Sequence, residues 1–115
     1  MRRRKPRADE ADLLGGTLDM LILQVLVSGA AHGFTIAGAI QRRSDDALLV
    51  EQGSLYPALH RLEERRWIAS EWGTSENNRR ARYYTLTPRG RKQLGAERAE
   101  FDRMVGAIQR VLGTT

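Results

Sequence analysis

Between Asn77 and Ala96 the chain carries Arg79, Arg80, Arg82, Arg89, Arg91 and Lys92 without a single acidic residue. Cationic groups clustered in this way attract a polyanion, and release of its counterions drives binding that weakens with salt. A second basic cluster, Arg2, Arg3, Arg4, Lys5 and Arg7, opens the chain. Residue types that do covalent chemistry are arranged far less suggestively. Ser54 is not in a Gly-x-Ser-x-Gly elbow, and His32 and His60 are the only histidines. There is no Gly-x-x-x-x-Gly-Lys loop, no His-Glu-x-x-His pair and no cysteine. The adjacent acids Asp45-Asp46 read as a helix end followed by a turn. The expected chemistry is phosphate binding, with no catalytic residue, metal or cofactor.

The clearest positioning element is Gln52–Arg65. Leu55, Leu59 and Leu62 recur at i, i+4 and i+7 and define the buried face of a helix. Pro57, His60, Arg61 and Glu64 fall opposite, with Ser54 and Tyr56 on the flanks near the start, and Arg65 lies nearer the core side. Ser54 is placed to cap this helix, and Pro57 is tolerated in a first turn. Arg61 suits guanine edges or phosphate, while the hydroxyls of Ser54 and Tyr56 suit phosphates. The plainer alternatives are that Ser54 only caps and that Tyr56 packs against the following hairpin. That hairpin is formed by two strands, Ile68–Trp72 and Arg82–Leu86, with turn chemistry in Gly73–Asn78. Asn77, Asn78, Arg79 and Arg80 occupy its tip and return strand. Arginines on so slim a tip suit a narrow minor groove; the alternative is an ordinary solvated turn.

The remaining elements complete a reading head. Residues 1–12 read as a flexible basic arm. Thr17–Val27 is a helix capped at Thr17 and apolar nearly all round, with Leu18, Leu21, Ile22, Val25 and Leu26 on one side and Met20, Leu23 and Val27 on the other. One small domain does not easily bury both sides, so a partner subunit is the economical explanation. Ala31-His-Gly33 marks a turn before a second helix, Phe34–Arg43, whose apolar set is Phe34, Ile36, Ala37 and Ile40. Leu48–Val50 is a short strand or extended link. Thr87-Pro88 begins a last helix, in which Leu94, Phe101, Val105, Ile108 and Leu112 form a coiled-coil-like seam. Gly95 and Gly106 weaken it by roughly 1 kcal/mol each.

A short amphipathic helix beside a basic hairpin is the layout of a winged helix-turn-helix. The fold class expected is therefore mainly α with a small β-hairpin (α+β), plus a C-terminal dimerisation helix. The expected organisation is an arm at 1–12, a DNA-binding domain at 13–87 and a dimerisation helix at 88–115. At 115 residues, with 41% hydrophobic content, net charge +5 and pI near 10.4, the chain is one modest domain with an extra helix. No secretory signal pattern opens it, and Leu21–Val27 is too short to span a bilayer, so a cytoplasmic protein without a membrane partner is expected.

Gly16-Thr-Leu-Asp19, His32-Gly-Phe34, Glu51–Glu63, Glu71-Trp-Gly73, Arg82–Pro88 and Gly90 resemble the PadR family of transcriptional regulators, over about Leu14 to Leu94. The core Gly-Ser-Leu-Tyr-Pro-Ala-Leu, with Tyr-Tyr-x-Leu-Thr-x-x-Gly downstream, is a specific signature. The short chain resembles the subgroup with a single C-terminal helix. The resemblance implies a homodimeric DNA-binding repressor acting on a roughly palindromic promoter operator. It implies dimerisation through the first and last helices, here Leu18, Leu21, Ile22, Phe101, Val105, Ile108 and Leu112. It also implies response to a small, often aromatic effector near the dimer interface. DNA contacts would come from Ser54, Tyr56, Pro57, His60 and Arg61 in the recognition helix and from Asn78, Arg79, Arg80 and Arg82 in the wing.

The chain departs from the family pattern at two places. Arg66-Trp67-Ile68 stands where Gly-Leu-Ile is usual, and a left-handed helix cap costs a non-glycine residue roughly 1 kcal/mol. Trp67 packs at the hairpin base or offers a stacking surface. Phe34 replaces a tyrosine and loses only a hydroxyl. The rival reading is a winged-helix module that binds RNA or serves as a protein adaptor. RNA recognition usually needs exposed aromatics, whereas Tyr83 and Tyr84 alternate across a strand so that at least one is buried. An adaptor has no need of an acid-free hairpin.

Overall fold

The computed structural model describes residues 8–113, so the basic cluster Arg2–Arg7 and most of the expected arm lie outside the described residues. Seven elements follow in order: α1 (Ala8–Leu26), β1 (Ala31–His32), α2 (Gly33–Arg43), α3 (Gln52–Glu64), β2 (Ile68–Thr74), β3 (Arg80–Leu86) and α4 (Pro88–Leu112). The strands form one antiparallel sheet in the order β1-β3-β2. This is the α+β winged helix-turn-helix expected, with differences of detail that have physical causes. Among the described residues no helix is long and apolar enough to cross a membrane.

α1 is the axis of the domain, touching α2, α3, α4 and β3. Met20, Ile22, Leu23, Val25 and Leu26 are all buried within the single chain, which corrects the expectation that one side needs a partner subunit. Ile22, assigned to the dimer interface, is 0% exposed and belongs to the domain core. Leu18 and Leu21 are half-buried and pack on that core. The helix also starts well before Thr17, which lies inside it rather than capping it, and residues 8–12 are helical rather than part of an arm. It ends on tightened turns, Val27 N–H to Gln24 O and Gly29 N–H to Leu26 O, and Gly29 then takes φ 134°, open to glycine.

β1 was expected as a turn; it pairs Ala31 with Tyr84 and His32 with Tyr83, adding a third strand. Two residues are too few for a periodicity signal, so only tertiary pairing reveals them. His32 then caps α2, its Nδ1 accepting from the Thr35 N–H at 3.4 Å. In α2, Ile36, Ala39 and Ile40 are buried, but Phe34 is 80% exposed, contrary to its place in the expected apolar set. Asp45 and Asp46 both adopt left-handed φ, 53° and 67°, as the chain reverses, and Leu48–Val50 continues as a link without strand pairing.

α3 begins at Gln52 with Glu51 as its cap residue, so Ser54 sits in the first turn rather than capping it. Pro57 is the sixth residue, inside the helix and beyond the first turn expected for it from sequence. Leu55, Ala58, Leu59 and Leu62 are buried as the spacing requires. The helix closes with Trp67 N–H on Leu62 O at 3.1 Å and Arg66 N–H on Glu63 O at 3.0 Å, a Schellman pair that puts Arg66 at φ 65°. The family's glycine would take this conformation at no steric cost.

The hairpin base is fastened to α4. Thr87 caps α4 by accepting from the Gly90 N–H at 2.9 Å, and its hydroxyl donates to the carbonyls of Arg66 and Trp67. A Cβ at Gly90 would lie 1.9 Å from Trp67 O, so this close approach excludes every other residue. Leu94 buries itself one turn further on, and from there α4 leaves the core.

Candidate nucleic-acid interface

The outward face of α3 presents Gln52, Gly53, Ser54, Tyr56, Pro57, His60 and Glu64 to solvent. Glu51, the N-cap residue, makes no side-chain cap bond. Tyr56 lies over Gly33 at the start of α2, where an added Cβ would come 2.7 Å from its hydroxyl oxygen. It therefore packs at the start of α2, with about half its surface open. His60 faces Glu64 one turn later at 3.5 Å.

Arg61 departs from the expected arrangement. It is half-buried, and its Nη2 donates to Asp19 Oδ1 at 2.8 Å, with Arg65 Nη1 3.8 Å from Asp19 Oδ2. Asp19 is buried on α1, so both arginines hold α3 to the domain axis. Burial pushes the Asp19 carboxyl above its ordinary range, against the hydrogen bond and charge of Arg61 and the charge of Arg65. The helical projection places the Arg61 backbone away from the core, and the length of the side chain is what lets it reach Asp19.

The hairpin register pairs Ile68 with Leu86, Ser70 with Tyr84, Trp72 with Arg82 and Thr74 with Arg80. Alternation puts those eight residues on one face, which is core at its base, where Ile68 and Tyr84 are buried. Arg82, expected among the wing's DNA contacts, is exposed but already engaged: its Nε donates to Ser70 Oγ at 2.9 Å and its Nη2 lies 3.5 Å from Glu63. Ser70 in turn donates to Glu63 at 2.6 Å, tying the hairpin to the end of α3. Further out, Arg80 and Arg82 lie over the Trp72 ring at 4.5 and 5.3 Å. Trp72 is 56% exposed and was read from sequence only as a strand residue. On the opposite face Tyr83 meets His32 edge-on and donates its hydroxyl to Thr74 O.

The tip closes through Ser75 N–H to Arg79 O and Asn78 N–H to Ser75 O, both 2.8 Å, with Asn78 at φ 61°. Arg79 and Arg80 are exposed, and among the described residues neither is paired with a carboxylate. The interface thus has a polar, weakly charged helix face beside a hairpin whose cations are free near its tip.

The last helix has a second exposed surface. Phe101, Met104, Ile108, Val111 and Leu112 are exposed and Val105 is half-buried, at spacings that form one stripe. Met104 and Val111 were not singled out from sequence, although each lies three residues beyond a seam position. A cavity of about 140 Å³ lies between α1, α2 and the following link, lined by Leu21, Val25, Ile40 and Leu48 with Arg43 at its edge. That is well below the several hundred Å³ typical of sites for drug-sized ligands.

Comparison with known proteins agrees with this geometry. The family model for the transcriptional regulator PadR-like family matches residues 22–96. The solved structure of a transcriptional regulator from Clostridium thermocellum is 30% identical, covers 86% of this chain and 96% of its own, and superposes with a TM-score of 0.79. A PadR family transcriptional regulator from Eggerthella lenta is 29% identical over 90% of this chain and 88% of its own, with a TM-score of 0.74. An uncharacterised protein of Lysinibacillus sphaericus, called protein X, is 26% identical over 73% of this chain and 77% of its own.

Proposed function

This chain belongs to the PadR-like family of transcriptional regulators, and we propose that it acts as a homodimeric repressor occupying a promoter operator. The observation that carries this reading is the hairpin tip, where Arg79 and Arg80 stand exposed and unpaired by carboxylate among the described residues. The Glu63–Ser70–Arg82 chain keeps that tip beside α3. Two such units, joined through the apolar stripe of α4, present two α3 helices to successive major-groove faces. Ser54, Tyr56, Pro57 and His60 supply the sequence-reading surface, and Asn78, Arg79 and Arg80 grip phosphates or a minor groove alongside. Arg61 serves first as the fastener of α3 to Asp19. The operator-binding form acts on chromosomal promoters, hence in the cytoplasm.

The stripe from Phe101 to Leu112 supports the dimer, since an apolar row of this length on one helix is stable in water only against a partner surface. Leu18 and Leu21, half-open on α1, extend it; Ile22 does not. A small aromatic effector would bind where the two subunits meet and change the angle between the reading heads. It would release DNA only through different affinities for the two dimer shapes.

The test is a salt titration of binding to the duplex upstream of this protein's own gene, with random duplex, single-stranded DNA and RNA as competitors. The expected result is preference for duplex, tightest for the upstream fragment and falling steeply with salt. Equal or better binding to single strands or RNA, or no binding at all, overturns the repressor reading.

A further inference from the structure

We propose that Trp72 is a positioning residue for DNA binding: its exposed indole holds the guanidinium of Arg80 in place before the hairpin meets the minor groove. This rests on the DNA-binding reading above and extends it to a residue with no charge of its own.

A tryptophan on an outer strand position would ordinarily bury its ring, yet Trp72 is 56% exposed. What covers it instead is charge. Arg80 lies 4.5 Å and Arg82 5.3 Å from the ring centroid, both on the face that runs down to the core. Two guanidinium groups this close on one strand repel each other, and the negative face of the indole offsets that repulsion. Arg82 is fixed from its other side by Ser70 and Glu63. A continuous chain, Glu63 to Ser70 to Arg82 to Trp72 to Arg80, therefore runs from the end of α3 toward the hairpin tip.

The consequence concerns order. A free arginine must surrender its rotamer freedom on entering a groove. A stacked one has given up much of it beforehand. Stacking engages the flat faces of the guanidinium and leaves its in-plane N–H groups directed outward, which is the geometry that groove and phosphate acceptors require. Trp72 thus acts through Arg80, and the location of the charge relative to α3 is what it determines.

The experiment is fluorescence anisotropy of a labelled random-sequence duplex containing an A-tract, across a salt series, with wild type, Trp72→Phe, Trp72→Ala, Arg80→Ala and the double variant Trp72→Ala/Arg80→Ala. Trp72→Ala is expected to weaken binding about fivefold with an unchanged salt slope, because no cation is lost. Trp72→Phe, which keeps a flat ring, weakens it about twofold and remains informative should the alanine variant unfold. Arg80→Ala lowers the slope by about one. The double variant binds about as Arg80→Ala does, since the ring has nothing left to position. Additive losses, a changed slope for Trp72→Ala, or Trp72→Ala binding like wild type overturns the proposal while leaving the repressor reading intact. Loss confined to a single-stranded probe would make Trp72 a base-stacking surface and overturn it too. Wild type that binds no duplex removes the repressor reading and this inference together.

Discussion

α3 and the hairpin both carry arginines, and they use them differently. In α3, Arg61 and Arg65 turn back and bracket Asp19, a buried carboxylate on α1. At the hairpin tip, Arg79 and Arg80 face solvent, and the support of Arg80 is an aromatic ring rather than an acid. An arginine on a carboxylate fastens two elements and has its charge compensated within the fold. An arginine on an indole keeps its charge available. The helix is thereby held to α1 with little net positive charge on its outward face, while the hairpin tip keeps its cations open to solvent. Arg82 stands between the two regimes, touching Glu63 and Ser70 on one side and Trp72 on the other.

The division depends on the hairpin being anchored, and the most damaging way to break it is at its base. Gly90→Ala drives a Cβ against the Trp67 carbonyl, where 1.9 Å is available. Backbone must move, because neither atom is the end of a flexible side chain. Thr87 loses its cap geometry on the same turn. A loss of about 3 kcal/mol is expected, visible as a large fall in the thermal midpoint by circular dichroism. An alanine variant as stable as wild type would mean that α4 does not clamp the hairpin.

A smaller effect separates the two kinds of arginine directly. Arg61→Ala removes the 2.8 Å partner of a buried carboxylate and leaves only Arg65 at 3.8 Å. Stability should fall by about 1–2 kcal/mol, moderated because Arg61 is itself half-exposed. Arg79→Ala should change stability by less than about 0.5 kcal/mol and lower the salt slope of duplex binding by about one. Urea unfolding and a salt titration of both variants read this contrast. Should Arg79→Ala unfold the protein, or Arg61→Ala leave stability untouched, the contrast between fastener and free charge would be lost.

How far these features were legible in the sequence follows from the range of the interactions that create them. Leu55, Leu59 and Leu62 announce α3 because their burial depends on spacing within one helix, and Thr87-Pro88 announces α4 because capping is local. The acid-free run that marks the wing is legible for the same reason. The errors lie where distant segments meet. β1 exists only because Ala31 and His32 find β3. Phe34 fits an apolar helical pattern yet no element lies over it. α1 was read as needing a partner because its circumference was counted against an average core, whereas three other helices and a strand wrap it. Asp19 and Arg61 are 42 residues apart, and no local rule joins them. The signal available was Asp19 standing as the one acid within the apolar stretch Leu18–Val27, since such a carboxylate must find a cation or a hydrogen-bond donor.

The strength of that fastener is open to a sharper measurement through pH, with the smallest expected effect. Burial raises the Asp19 carboxyl above its ordinary 3.8, outweighing the Arg61 hydrogen bond and the charges of Arg61 and Arg65, with Glu97 adding to the rise. A carboxyl with a higher value in the folded chain than in the unfolded one binds its proton more readily when folded. Its contribution to stability is then fully present below the unfolded value and lost as pH rises through the folded value. Asp19→Asn removes this titration and nothing else that ionises. In urea unfolding at a series of pH values, the stability of wild type relative to Asp19→Asn should therefore decline as pH rises from the ordinary carboxylate range, then level off toward neutrality. A relative gain by wild type over the same window would show the arginines dominating burial, and Arg61 would then be a tightly bound structural cation. The expected decline shows burial outweighing the two arginines at Asp19.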